Sequence, residues 1–178
     1  MSYSLVEVNQ MDKETFVAAF GDVAEHSPWV AEKAYELGPF RARDDLADAF
    51  SKAMDTAPQA DQLALIRAHP DLAGKAALAG EIAESSRDEQ AGAGLDRLTR
   101  EEFARFCALN DAYKDRFGFP FIFAVKGATK TQILAAFEPR LHNSPSEEFS
   151  EALRQIARIF RFRLEALVEA PHERGSEG

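Results

Sequence analysis

The sequence predicts an all-α protein, a single-domain multi-helix bundle with one buried extended apolar segment. Three observations carry this. Apolar residues recur at three- and four-residue spacing along most of the 178-residue chain. Helix start and stop signals bracket those runs. One apolar run, Phe119-Pro120-Phe121-Ile122-Phe123-Ala124-Val125, has no helical punctuation. The length suits one domain over residues 1–178, and a hydrophobic content of 46% is enough to fill its core.

Each element has its own reason. Phe16, Ala19, Phe20 and Val23 share a helical face after Asp12. Ser27-Pro28-Trp29 reads as an N-cap followed by proline at the first helical position, and Gly38-Pro39 closes that helix. Leu46, Ala49, Phe50 and Ala53 mark a third helix. Leu63 and Ile66 mark a fourth, which ends before His69-Pro70. Ser86-Arg87-Asp88-Glu89 has the form of a capping box, and Gly92 and Gly94 beyond it read as close helix packing. Thr99-Arg100-Glu101-Glu102 is a second box; Phe103, Phe106, Asn110, Tyr113 and Phe117 follow on one face until Gly118 stops the helix. A further helix runs from about Thr129 to Phe137. Ser144-Pro145-Ser146-Glu147 opens the last and longest, which ends by Pro171, and the charged tail 171–178 reads as disordered. The run at 119–125 could be a strand on propensity, but no partner strand is evident. Its buried backbone groups need partners, and a ligand or neighbouring loops would serve equally well.

Composition narrows the function. The net charge is −9, from 21 basic and 30 acidic groups, and such a surface repels nucleic acid and anionic membrane. A small anionic substrate is still compatible with a locally positive pocket. No apolar stretch is long enough to span a bilayer. Neither a basic-then-apolar leader nor a terminal Ser-Lys-Leu is present, and Cys107 is the single cysteine, so the expected location is a reducing cytoplasm. Of four histidines, none has metal-ligand spacing, and there is no glycine-rich phosphate loop, so no metal or phosphate cofactor is expected.

The chemistry concentrates in His69-Pro70-Asp71-Leu72-Ala73-Gly74-Lys75 and, seventeen positions after the histidine, Ser86-Arg87-Asp88-Glu89-Gln90. This kit supplies proton transfer and hydrogen bonding without a metal or organic cofactor. A lone histidine is more often structural. His69-Pro70-Asp71 also matches the signature loop of J-domain co-chaperones, but those need a basic helix before the loop, and Gln59 to Arg67 carries one basic and one acidic residue. The first turn of the Ser86 helix offers free amides to a carboxylate or a polar ring. In the last helix Phe149, Leu153, Ile156, Phe160 and Leu167 share one face. Arg163 falls within that stripe, whereas Arg154, Arg158 and Arg161 fall outside. A buried arginine needs a partner: either an internal carboxylate or an anionic ligand held in a two-bond grip.

These residues meet in a family resemblance. His-Pro-Asp-Leu-Ala-Gly-Lys at 69–75, Ser-x-x-Glu-Gln at 86–90, Ala-Gly-Leu at 93–95 and Phe-Gly-Phe-Pro-Phe at 117–121, with Ser27-Pro28-Trp29 and Asn110, resemble the pattern of OHCU decarboxylase. OHCU is 2-oxo-4-hydroxy-4-carboxy-5-ureidoimidazoline. The likeness runs from about residue 9 to 168. It implies an all-helical, often dimeric protein that removes CO2 from OHCU to give (S)-allantoin, the last step of urate breakdown, with no cofactor. It places the catalytic histidine and glutamate at His69 and Glu89. It places ring-binding contacts at Pro70, Ser86, Arg87, Asp88, Glu89 and Gln90, and at Phe121, Ile122, Phe123, Ala124 and Val125. The carboxylate-contacting arginine falls on Arg163, with Arg161 as the fallback. The implied partners are a small ureidoimidazoline and a second copy of the chain, for which an exposed Phe162 offers a contact; nucleic acid and membrane are not among them. Two other classes compete: a helical interaction module docking through His69-Pro70-Asp71, and a catalytically silent ligand-binding relative.

Overall fold

The computed structural model describes residues 2–73 and 84–170, with the backbone alone for Glu84 and Ser85. Gly74, Lys75, His172 and the tail from 171 lie outside the described residues. Among the described residues there are nine α-helices and no strand. They are α1 (Leu5–Gln10), α2 (Lys13–Phe20), α3 (Trp29–Glu36), α4 (Arg43–Asp55), α5 (Gln59–Ala68), α6 (Glu84–Gly92), α7 (Arg100–Phe117), α8 (Lys130–Leu141) and α9 (Pro145–Leu167). No described helix is long and apolar enough to cross a membrane.

Contacts divide the chain into two compact units, one of residues 1–57 and 159–178, the other of residues 58–158, and α9 contributes to both. The first unit is built on phenylalanines. Phe16 lies 4.9 Å from Phe20 and 6.3 Å from Phe50, which meets Phe160 at 6.0 Å, a spacing typical of packed aromatic rings. Asn9 fastens the chain after α3 by bonding both the amide and the carbonyl of Phe40 at 2.8 Å. The second unit has Phe106, Tyr113, Phe121 and Phe137 at its centre. Phe121 stacks on Phe137 at 3.7 Å and meets Tyr113 edge-on at 5.3 Å.

The expected starts at Thr99 and Ser144 form as full reciprocal boxes. Asp12 caps α2 through the Thr15 amide, yet α2 ends at Phe20 and continues as a 3-10 turn to Val23. The short α1 was not expected, although Ser4 and Glu7 form a capping box in front of it. Four expectations need correction. Ser27 does not cap α3: its hydroxyl donates to the Glu25 carbonyl, and Pro28 occupies the cap position. Ser86 is not an N-cap, because α6 already includes Glu84. Neither Gly92 nor Gly94 serves close packing, since a Cβ at either would meet nothing within 4 Å. The φ of +81° at Gly94 ends α6 instead: the amides of Gly94 and Leu95 return to the carbonyls of Ala91 and Gln90, a Schellman closure that glycine makes without strain. Finally, α8 does not stop at Phe137 but runs through Pro139 to Leu141. Proline removes one helical donor, and one lost bond in a last turn is tolerated.

Candidate active site

His69 owes its position to the residue after it. Proline disfavours α-helical backbone at the preceding position, so α5 ends there and His69 turns extended, at φ −73° and ψ 138°. Its amide still closes on the Ile66 carbonyl, and its Nδ1 lies 2.9 Å from the Leu65 carbonyl oxygen. A carbonyl only accepts, so Nδ1 carries the proton. In the neutral ring Nε2 is then the basic nitrogen. The ring is 7% exposed, so this tautomer is fixed in a largely dry setting.

The loop that follows is held by three side chains. Gln90 accepts from the Ala73 amide at 2.9 Å and donates to the Asp71 carbonyl at 3.4 Å. Asn110 donates to the Leu72 carbonyl at 2.8 Å. Lys114 reaches the Asp71 carboxylate at 2.6 Å, and that hydrogen bond pushes the Lys114 ammonium above its ordinary pKa. These bonds keep Ala73 at φ +55°, a left-handed conformation costing a non-glycine residue about 1–2 kcal/mol. The clamp is specific to this loop: one partner comes from α6, and two come from adjacent turns of α7.

On α6 the helical period sorts the five carried-over residues. Ser86 and Gln90 are buried and Glu89 half-buried on one side, whereas Arg87 and Asp88 are exposed. The run 119–125 lies against α7, where Tyr113, one turn after Asn110, packs on Phe119 and Phe121. Arg67 of α5 donates to the Gly118 carbonyl at 3.1 Å and fixes the entry to the run. Burial pushes the Tyr113 phenol above its ordinary pKa, so it stays protonated. Two groups of the run are answered by helix side chains. The Ile122 carbonyl accepts from Arg140 at 2.6 Å, and the Ala124 amide donates to Gln155 at 3.0 Å. Arg140 also holds Glu148 at 2.7 Å. The partners open at the sequence level are therefore helix side chains on that side, neither loops nor ligand.

Arg163 belongs to the other unit. It is buried, as its stripe predicts, and it pairs with Glu25 at 2.8 Å and the Val23 carbonyl at 3.0 Å. Arg161 reaches the exposed Asp44 and Asp48 at 3.0 and 3.3 Å. Phe162 is half-buried rather than exposed, because its α9 position lies beside the buried stripe. Among the described residues no group of three His, Cys, Asp or Glu side chains is placed to hold a metal.

Sequence reading missed Lys114, Arg140 and Gln155. Arg140 had a signal: with Ile133 and Phe137 it falls at i, i+4 and i+7 on one buried face. Lys114 stands four residues after Asn110, but its partner Asp71 is 43 positions away and no local pattern announces it.

A sequence profile described as OHCU decarboxylase matches residues 9–165, which covers parts of both units. A 2-oxo-4-hydroxy-4-carboxy-5-ureidoimidazoline decarboxylase of Halalkalicoccus jeotgali is 46% identical over 91% of this chain and 90% of its own. One of the same name from Haloferax volcanii is 44% identical over 90% of this chain and 94% of its own. A crystal structure of (S)-allantoin synthase superposes with a TM-score of 0.75 at 30% identity, covering 93% of this chain; this chain spans 54% of that one.

Proposed function

Because the chain belongs to the OHCU decarboxylase family, we propose that it converts 2-oxo-4-hydroxy-4-carboxy-5-ureidoimidazoline to (S)-allantoin and CO2 without a cofactor. The observation that carries this is the buried His69, its proton directed to Leu65 and its loop clamped by Gln90, Asn110 and Lys114. A docking loop would need that histidine in solvent, and it is 7% exposed.

Loss of CO2 leaves an electron pair that needs a sink. The substrate supplies one, an imine-type carbon beside the carbon that loses CO2. The protein then has to orient the ring, stabilise the charge that moves onto it and deliver one proton to one face. We assign His69 Nε2 and Glu89 to the hydroxyl region and the proton. Pro70 and, on α6, Ser86, Arg87, Asp88 and Gln90 would meet the ring and its carbonyls. Main-chain groups between Phe121 and Val125 would meet the ureido and ring amides. By the family likeness Arg163, whose guanidinium holds Glu25 and the Val23 carbonyl, would contact the substrate carboxylate. Protonation from one side gives a single enantiomer. A cytoplasmic homodimer is part of the same proposal; sedimentation equilibrium would then report twice the 19.7 kDa chain mass.

The test is His69→Ala and Glu89→Gln assayed by circular dichroism at the allantoin wavelengths with freshly generated OHCU. Each should lose about two to four powers of ten in stereospecific product formation while keeping the wild-type fold. Wild-type rate and chirality in folded His69→Ala overturn the assignment.

A further inference from the structure

We propose that Arg140 and Gln155 are positioning residues that turn one edge of segment 121–125 toward the substrate, an inference that rests on the functional reading above. The argument starts from which backbone groups they take. They bond the Ile122 carbonyl and the Ala124 amide, two residues apart. In extended backbone the N–H and C=O of one residue point to the same side, and those of the next residue point to the other. Both bonds therefore lie on one edge, and the groups of Phe121 and Phe123 face the opposite one. Those groups make no hydrogen bond to another described residue. An edge of alternating amides and carbonyls suits a ligand carrying ureido and ring amide groups, which present the complementary alternation.

Arg140 is held for this task from three directions. Its Nε lies 2.7 and 3.2 Å from the two oxygens of Glu148, which is fully buried. Its Nη1 donates to Ile122 at 2.6 Å. Its guanidinium lies 4.3 Å from the centroid of Phe121, whose ring stacks on Phe137, one turn before Arg140 on α8. Gln155 is held in turn by Glu151 at 2.8 Å. Stability alone does not account for such a pair, because a buried ion pair is commonly no more stabilising than apolar residues of the same volume. Apolar residues could not hold the Ile122 carbonyl to one side, and releasing it would free the segment to rotate its open edge away.

The experiment uses the full chain with Arg140→Met/Glu148→Met, which removes both charges together, and Gln155→Leu as an independent release of the same edge. Tm and far-UV circular dichroism report the fold. Steady-state kinetics with fresh OHCU and calorimetric titration with (S)-allantoin report the site. The double variant should stay folded, with its Tm lowered only by the unanswered Ile122 carbonyl, and keep a kcat within about twofold of wild type, with KM for OHCU and Kd for (S)-allantoin both raised about tenfold. Gln155→Leu should shift KM and Kd the same way. A merely structural role would lower the folded fraction and leave KM and Kd unchanged. Either variant, folded and binding (S)-allantoin with the wild-type Kd, overturns the proposal. Should the double variant fail to fold, Gln155→Leu decides. A wild-type protein that neither decarboxylates OHCU nor binds (S)-allantoin overturns instead the functional reading beneath it.

Discussion

Asn110→Asp exchanges an amide nitrogen for an oxygen, yet it should be among the most damaging small changes in the second unit. Asn110 is 3% exposed, and its Nδ2 donates to the Leu72 carbonyl at 2.8 Å. The amide cannot be flipped, because the Leu72 carbonyl offers no hydrogen. Its Oδ1 is buried without a partner among the described residues. An ionised aspartate there would face one acceptor with another in a buried site. Lys114, one turn on along the same face of α7, is already held by Asp71. The side chain would therefore take up a proton, and its hydroxyl would restore the bond to Leu72. Holding a carboxyl of ordinary pKa near 3.9 protonated at pH 7 costs about 4 kcal/mol, falling to about 1.5 kcal/mol at pH 5. The sign follows from linkage. The folded pKa is raised above the unfolded one, so the loss is absent below the unfolded value and grows as pH rises toward the folded one. Asn110→Leu is the control. It strands the Leu72 carbonyl, at about 1–3 kcal/mol, but removes the orphaned oxygen, so its net cost should be about 1–2 kcal/mol and independent of pH. Urea denaturation at pH 4.5, 5.5 and 7 measures both. Stability of Asn110→Asp that stays flat across this range, or exceeds that of Asn110→Leu at pH 7, refutes the description of a dry site without a donor.

Arg163→Met should abolish turnover and destabilise by about 3–5 kcal/mol, because it removes one side of a buried ion pair. Arg161→Ala, which loses only ion pairs to exposed aspartates, should change stability by less than about 1 kcal/mol and leave kcat intact; the pair of variants decides between the two arginines. Gly94→Ala should lower Tm by about 3 °C through its φ of +81° alone, and Gly94→Asn by less. The bond from Thr15 holds the Asp12 carboxyl below the usual range, so it stabilises above the unfolded pKa and ceases to as pH falls below about 4. Asp12→Asn keeps the cap and should flatten that acid limb in a melting series across pH.

What the sequence revealed and what it concealed divide on the range of the interaction. Thr99 with Glu102 and Ser144 with Glu147 are signals whose donor and acceptor lie three residues apart, and both form as read. Arg163 was legible because one helix carries enough apolar neighbours to define a face. The identity of its partner was not, since Glu25 is 138 positions away. Arg140 satisfied the same facing rule but was lost when α8 was read as ending at about Phe137. Ser86 misled in the opposite way: Ser-x-x-Glu is a valid box only when the helix starts there, and four residues cannot show that it does.

The segment at 119–125 raises a different question, why a helical protein would keep one stretch out of its helices. A helix satisfies its own amides and carbonyls, so it presents free ones only at its ends. The cofactor-free reaction proposed above would have to stabilise moving charge with groups fixed before the substrate arrives. One extended segment supplies such groups in a row. A partner strand would secure it by main-chain bonds at every second residue along one edge. Here one side is secured at only two points, Ile122 and Ala124, by side chains from α8 and α9. Side chains are also tunable one at a time, since replacing Gln155 moves a single bond where replacing a strand would move the sheet. If this is the logic of the segment, Gln155→Glu should be informative. The carboxylate keeps the acceptor for Ala124 but repels Glu151, which Gln155 now contacts at 2.8 Å. KM should rise as pH is raised from 5 to 8, and a KM that stays at the wild-type value throughout would show that the Ala124 edge does not set the fit of the substrate.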